Sequence, residues 1–219
     1  MVSSNPVVHV IDDDASIREA LCRLLVASGF EARPYESAGE FLLSRSGDTP
    51  GCLLLDIRMP GPSGMDLQHA LSQRADALPV VFLTGYGDIP MSVLAIKRGA
   101  VDFLTKPVDR DALIAAVTVA LERDAARRER NRNRQDLDHN FSTLTVRERQ
   151  VFAQVAEGRL NKQIAASLST CERTVKAHRA HVMEKLHVRT VAELVHIAVQ
   201  LEADPPPATG AASNVSVPA

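Results

Sequence analysis

Apolar and polar positions follow two rhythms along this chain. In the first half, short and almost wholly apolar runs alternate with longer stretches whose apolar residues recur every three or four positions. Val7–Ile11 is the first run. Ala15–Ala27 follows with Ile17, Leu21, Leu24 and Leu25 at helical spacing, and Gly29 supplies a stop. "CLLLD", "PVVFLT" and "VDFLT" read as further strands, with helix-like runs around Met65–Arg74 and Pro90–Arg98. Strands apolar on both faces and alternating with helices predict a parallel sheet covered on both sides. In such sheets, ligands gather at the carboxyl ends of the strands. From Asp109 the pattern is helical, without Gly or Pro until well past residue 136. Residues 141–201 are helix-like throughout. The Pro/Ala/Ser-rich end, 204–219, is expected to be disordered.

Composition adds constraints. The 219 residues are 45% hydrophobic but only 4% aromatic, with no Trp, so aliphatic packing must dominate. No apolar run approaches the roughly 20 residues of a membrane span. The start, "MVSSNPVVHV", has no basic segment before an apolar one and does not read as a signal peptide. Cys22, Cys52 and Cys171 lie far apart without metal-ligand spacing, which suggests a reducing cytoplasm and plain core cysteines. Net charge is −2, unevenly spread: residues 1–121 hold 10 Lys/Arg against 15 Asp/Glu, and residues 141–204 hold 9 against 7. An acidic front and a mildly basic back predict two modules with different partners. Between them, residues 121–140 carry six Arg and five acids, which read as a solvated helical linker rather than a binding patch.

The candidate chemistry starts at "VVHVIDDDAS". Three adjacent carboxylates repel one another. Taken alone, the stretch has two readings: a solvated loop whose Asp14 or Ser16 caps the next helix, or a site for a hard divalent cation such as Mg²⁺. Other strand ends carry polar groups too, with Asp56 in "LLLDIRMPG", Thr84 in "LTGYGD" and Lys106 in "FLTKP". Parallel strands bring these ends to one edge, where they can converge. A carboxylate whose neighbours are neutralised can act as a nucleophile and form an aspartyl-phosphate, a transfer that needs mainly positioning and charge neutralisation. Each residue singly has a plain structural role open to it. The joint order and spacing favour the site.

Residues 6–121 resemble the receiver domain of two-component response regulators. The resemblance implies a doubly wound, five-stranded parallel α/β sheet, flavodoxin-like. It also implies that Asp12 and Asp13 form the acidic metal pair, that Asp56 is the phospho-acceptor, and that the backbone carbonyl of Arg58 is a third protein ligand. Thr84 then matches the switch hydroxyl, Phe103 the switch aromatic, and Lys106 the phosphoryl-contacting lysine, with a cis bond to Pro107. Gly85 matches the small residue that leaves the phosphoryl group open to water. Asp14 has no counterpart and is left to cap the helix. The implied cofactor is Mg²⁺, with Mn²⁺ as the alternative.

In the back half, Thr145 followed by Glu148 is a capping-box signature, and Gly158 ends that helix. "NKQIAASL" is a short helix with Ile164 and Leu168 inward, and "STCE" makes a turn. "RTVKAHRAHVMEKL" sets Val175, Val182 and Leu186 on one face and Lys176, Arg179 and Lys185 on the other. "TVAELVHIAVQL" is a last amphipathic helix. A short helix, tight turn and basic helix is the helix-turn-helix arrangement, although the charge pattern alone also fits the solvated face of a small bundle. Residues 142–201 resemble the LuxR/FixJ/NarL-type DNA-binding domain. That implies groove-facing positions at Lys176, Ala177 and Ala180, with Lys162, Thr174 and Arg179 near phosphates or base edges. It also implies a dimer seam at Val191, Leu194, Val195 and Ala198. Ala180 departs from the polar residue often found there, so base specificity does not carry over.

The expected organisation is a receiver (1–121), a helical linker (122–141), an all-α four-helix helix-turn-helix domain (142–203) and a tail (204–219), closest in look to the FixJ branch. The expected function is a cytoplasmic, phosphorylation-dependent transcriptional regulator, expected to be an activator, phosphorylated at Asp56 by a sensor histidine kinase, dimeric when phosphorylated and bound to promoter DNA, with RNA polymerase as a further partner and no membrane. The receiver would catalyse only its own phosphorylation and dephosphorylation. One rival is a DNA-binding regulator indifferent to phosphate. Another is a haloacid-dehalogenase-like phosphatase, which needs a second acid two residues after the nucleophile, where this chain has Arg58.

Overall fold

The computed structural model describes residues 5–45, 49–74, 76–85 and 89–203. The 204–219 tail therefore lies outside the described residues. The chain divides into two compact units, Met1–Arg130 and Asn131–Ala219.

The first unit alternates strand and helix: β1 (Val7–Ile11), α1 (Ala15–Ala27), β2 (Glu31–Tyr35), α2 (Ala38–Ser44), β3 (Gly51–Asp56), α3 (Gly64–Ser72), β4 (Val80–Thr84), α4 (Ile89–Lys97) and β5 (Asp102–Thr105). The five strands form one parallel sheet in the order β2-β1-β3-β4-β5. Alternate residues of each central strand feed opposite faces. Ile11, Leu53, Leu55 and Phe82 join one core with Phe41 and Leu71. Val8, Val10, Leu54, Val81 and Leu83 join another with Leu25, Leu113 and Val117. Double-sided burial is why these strands read as apolar runs.

Two elements have no such signature. In β2, "EARPY", only Tyr35 is buried. It is an edge strand paired to β1 alone, and an edge tolerates Pro34, which has no N–H to give a second neighbour. Helix α2 is only seven residues long and is started by Ser37, whose side chain accepts from the Glu40 N–H.

α5 (Arg110–Ser142) crosses the division between the units. Its 121–130 portion is less solvated than its charge run suggests. Asp124 is 1% exposed, accepts from the Gly51 N–H at 3.0 Å, and pairs with Arg127 and Arg128 at 2.6 Å each.

The second unit holds α6 (Val146–Ala156), α7 (Asn161–Ser167), α8 (Glu172–Lys185) and α9 (Val191–Ala203). Thr145 and Glu148 form the expected capping box. Val151, Phe152, Ile164, Val175, Val182, Leu186 and Leu194 build one core, against which Leu137 and Phe141 pack.

Candidate functional site

The order β2-β1-β3-β4-β5 reverses direction between β1 and β3, and the crevice at the carboxyl ends of those two strands is where open α/β sheets bind ligands. Asp12 follows β1 and Asp56 ends β3. The ladder continues past the strand ends to fix what comes next: the Asp12 N–H donates to the Tyr35 carbonyl, Ile57 N–H to Leu83, and Lys106 N–H to Thr84. These bonds bring Asp12, Asp56, Thr84 and Lys106 to one edge.

Lys106 Nζ donates to Asp12 Oδ2 at 2.6 Å and to Asp56 Oδ2 at 2.7 Å. The other carboxylate oxygens accept backbone N–H groups, Asp12 Oδ1 from Asp14 and Asp56 Oδ1 from Arg58. Asp12 and Asp56 are buried and Asp13 is exposed. Oxygens of all three acids lie within 4.8 Å of one another. Burial pushes the Asp12 carboxyl above its usual range, against the pull of Lys106. Burial also opposes the charge on Lys106, but hydrogen bonds to two carboxylates outweigh it and raise its pKa. Both directions coexist because one ammonium faces two acids.

The cluster fits a hard cation on its donor chemistry. Three carboxylates stand together with a single ammonium bound to two of them, and every donor is oxygen, the set that Mg²⁺ takes while keeping waters. Asp14 is not part of it: its Oδ1 accepts from the Ser16 and Ile17 N–H groups and caps α1. Thr84 is buried at the end of β4, in register with Thr105. Phe103 is half-buried on β5 against the core. The Lys106–Pro107 bond is cis. Gly85 faces open space, with nothing within 4 Å of where a Cβ would be.

In the second unit, α7 and α8 are joined by a tight turn that puts Ser169 at φ 51°. Lys162, Lys176, Ala177 and Ala180 are exposed. Thr174 is half-buried with its Oγ1 3.2 Å from Cys171 Sγ. Arg179 is also half-buried and donates to Asn161 Oδ1 at 2.7 Å, tying α8 to the start of α7. The outward cations Lys162 of α7 and Lys176 of α8 thus stand beside one that braces the motif.

The comparisons with known proteins follow this division. Residues 8–118 match the response regulator receiver domain, and residues 142–198 match the luxR family of bacterial regulatory proteins. This chain is a two-component response regulator of the FixJ/NarL type. The regulator is 45% identical to Nodulation protein W of Bradyrhizobium diazoefficiens over 91% of this chain and 88% of that protein. It is 40% identical to the response regulator protein TodT of Pseudomonas putida, over 90% and 86% of the two chains. Among solved structures it resembles the response regulator StyR, with a TM-score of 0.81, 46% identity, and coverage of 90% of this chain and all of that one. Full-length FixJ from B. japonicum aligns at a TM-score of 0.54 and 35% identity, over 91% and 98%. As a member of this family the regulator joins a receiver, which implies a histidine kinase partner, to a DNA-binding domain that acts on transcription. Among the described residues no helix is long and apolar enough to cross a membrane.

Three features of the regulator differ from the sequence reading. Leu194 and Ala198, expected at a dimer seam, pack into the domain's own core. Of the four seam residues, Val191 is exposed and Val195 half-buried, and Val199 is a further outward apolar residue of α9. Cys171 is not a core cysteine but an exposed N-cap of α8, and Cys22 is only half-buried. Gly64, not singled out from sequence, lets α3 approach the acceptor strand. A Cβ there would lie 2.3 Å from the Asp56 carbonyl oxygen, a distance no side chain tolerates. "PSGMD" after a strand end holds the signal only as a glycine that opens a helix.

Proposed function

We propose that Asp56 accepts a phosphoryl group from the phosphohistidine of a sensor kinase, or from a small acyl phosphate, and that this favours a dimer that binds promoter DNA and activates transcription. The supporting observation is the bridge from Lys106 Nζ to both Asp12 and Asp56. It positions the acceptor carboxylate and supplies a cation where transferred oxygens gather charge, which is most of what phosphoryl transfer requires.

Asp56 attacks phosphorus and the kinase imidazole leaves. Lys106 keeps its ammonium beside the incoming oxygens, and Thr84 donates its hydroxyl to one of them. Asp12, Asp13, Asp56 and the Arg58 carbonyl would hold Mg²⁺, or Mn²⁺, which neutralises charge that Lys106 alone cannot. Phe103 follows Thr84 inward and changes the face made by α4, β5 and α5. Val93, Leu94 and Ile96 are exposed apolar side chains of α4. Lys97, Asp102 and Asp111 stand exposed on the same three elements. An apolar patch with both signs of charge at its rim suits a self-complementary two-fold contact. Linking two weak DNA-binding domains makes the second contact intramolecular, raising avidity by about 10²–10⁴.

The test is sedimentation of the phosphorylated and unphosphorylated protein, with promoter-DNA affinity measured on the same samples. A dimer that binds more tightly than the unphosphorylated protein is expected. Phosphorylated protein that binds tightly while remaining monomeric would replace dimerisation with relief of an inhibitory state. Equal affinity of the two forms would make the regulator constitutive.

A further inference from the structure

Glu148 is a buried carboxylate in the first turn of α6, and its two oxygens have different surroundings. Oε2 accepts from the Thr145 N–H at 2.8 Å and from Lys185 Nζ at 2.7 Å. Oε1 faces His181 Nδ1 at 3.8 Å, too long for a hydrogen bond. His178 stands one turn before His181 on α8, so both imidazoles share a side of that helix. One ligand atom from each of Glu148, His178 and His181 lies within 4.8 Å of the other two. Thr145 and Lys185 keep the Glu148 carboxylate ionised, so that its pKa is lowered to about 2 although burial opposes the charge.

We infer that Glu148, His178 and His181 form a binding site for a divalent transition metal of the Zn²⁺ class, joining α6 to α8, with water completing the coordination. Two imidazoles and one carboxylate with an open fourth position are a recognised Zn²⁺ donor set. The imidazoles distinguish the site from the all-oxygen cluster at Asp12, Asp13 and Asp56 and exclude Mg²⁺ as its natural occupant. Zn–ligand bonds of about 2.0–2.2 Å would draw the donors closer than they now stand, and His181 is exposed and able to swing. Lys185 on Oε2 repels a second cation, which makes the site exchangeable rather than a closed structural one. Metal bound to the folded domain stabilises it by mass action, and it does so on the helix that presents Lys176. The inference is independent of phosphorylation at Asp56.

The experiment titrates Co²⁺ into the full-length protein and follows the visible bands of a four-coordinate, imidazole-bound ion. The same titration is run on His181→Ala, His178→Ala and Asp13→Ala, and Zn²⁺ is added to displace Co²⁺. The expected result is saturable bands that Zn²⁺ bleaches and Asp13→Ala retains. Each histidine variant should weaken binding by at least the roughly 10–100-fold that loss of even an outer-shell partner brings. Zn²⁺ should also raise the melting temperature of the wild type and not that of His181→Ala, an exposed position whose loss leaves the core intact. Absence of the bands, their persistence in both histidine variants, or their loss in Asp13→Ala would overturn the site.

Discussion

In the sheet domain Asp12, Asp56 and Lys106 lie below the surface at strand ends, each oxygen or ammonium aimed at a partner, whereas in the helical domain Lys162 and Lys176 stand in solvent. Buried charges interact strongly because the surrounding dielectric is low, but only in a fixed geometry and at a large desolvation cost. Exposed cations cost little to hold. They act on a polyanion through released counterions, with a loose geometry and a strong dependence on salt. The first arrangement suits the proposed transfer of a single phosphoryl group, and the second suits the many phosphates of DNA. The difference predicts that changes in the first domain are felt as stability and chemistry, and changes in the second as affinity.

The largest effect is expected at Asp124. Asp124→Ala removes the acceptor of the buried Gly51 N–H and the carboxylate shared by two guanidiniums. By analogy with one-sided loss of a buried pair, it should cost about 3–5 kcal/mol of receiver stability, read by denaturant unfolding, with DNA contacts untouched.

Acid separates the domains next. His9 is buried beside Tyr35 and Phe41, and burial first, then Arg33 and Arg45, lower its pKa to about 4. The unfolded chain, with His near 6.5, binds that proton first. Stability is therefore intact above about pH 6.5 and falls as pH drops toward 4, by about 3 kcal/mol from this group. The Glu148 pKa is lowered too, but in a more acid window: its contribution is present above about pH 4.5 and is lost only as pH falls toward 2. Both tyrosines, Tyr35 and Tyr86, belong to the first half of the chain and there is no Trp. Tyrosine fluorescence should therefore report receiver unfolding at a higher pH than the loss of the remaining helical signal. His9→Leu should flatten the receiver's dependence between pH 6.5 and 4.

Lys176→Ala, in contrast, should leave folding and phosphorylation unchanged and weaken DNA binding in both states, by roughly 1–3 kcal/mol if it reads a base. A mutant that loses affinity only when phosphorylated would move Lys176 out of the groove.

The smallest effect divides the aspartate triplet. Asp14→Ala should cost about 1 kcal/mol of stability through the lost cap of α1, with Mg²⁺ affinity unchanged. Asp13→Ala should lower Mg²⁺ affinity and leave stability near that of the wild type, as read by metal titration and thermal melting.

What the sequence made legible follows from which interactions are local. β1, α1 and the Thr145–Glu148 capping box are readable because an apolar run, a helical period and a three-residue spacing each lie within one short segment. The convergence of Asp12, Asp56, Thr84 and Lys106 is readable because parallel strands share one edge and each strand end carries its own polar residue. β2 was not located, since an edge strand buries little and "EARPY" shows neither period. Asp124 looked like one acid in a charge run because its partner, the Gly51 N–H, is 73 residues away. Gly64 was silent because the atom it must clear belongs to the backbone of Asp56. The seam residues Leu194 and Ala198 were legible as one apolar stripe, but a stripe does not say which of its members a domain's own core takes.

The central claim is that Asp56 is the group modified. Its most direct test is the intact mass of wild type and Asp56→Asn after incubation with acetyl phosphate and Mg²⁺, repeated with the metal chelated. The account predicts addition of one phosphoryl group to the wild type, none to Asp56→Asn, and none to either protein without the metal. Equal incorporation into Asp56→Asn would contradict it.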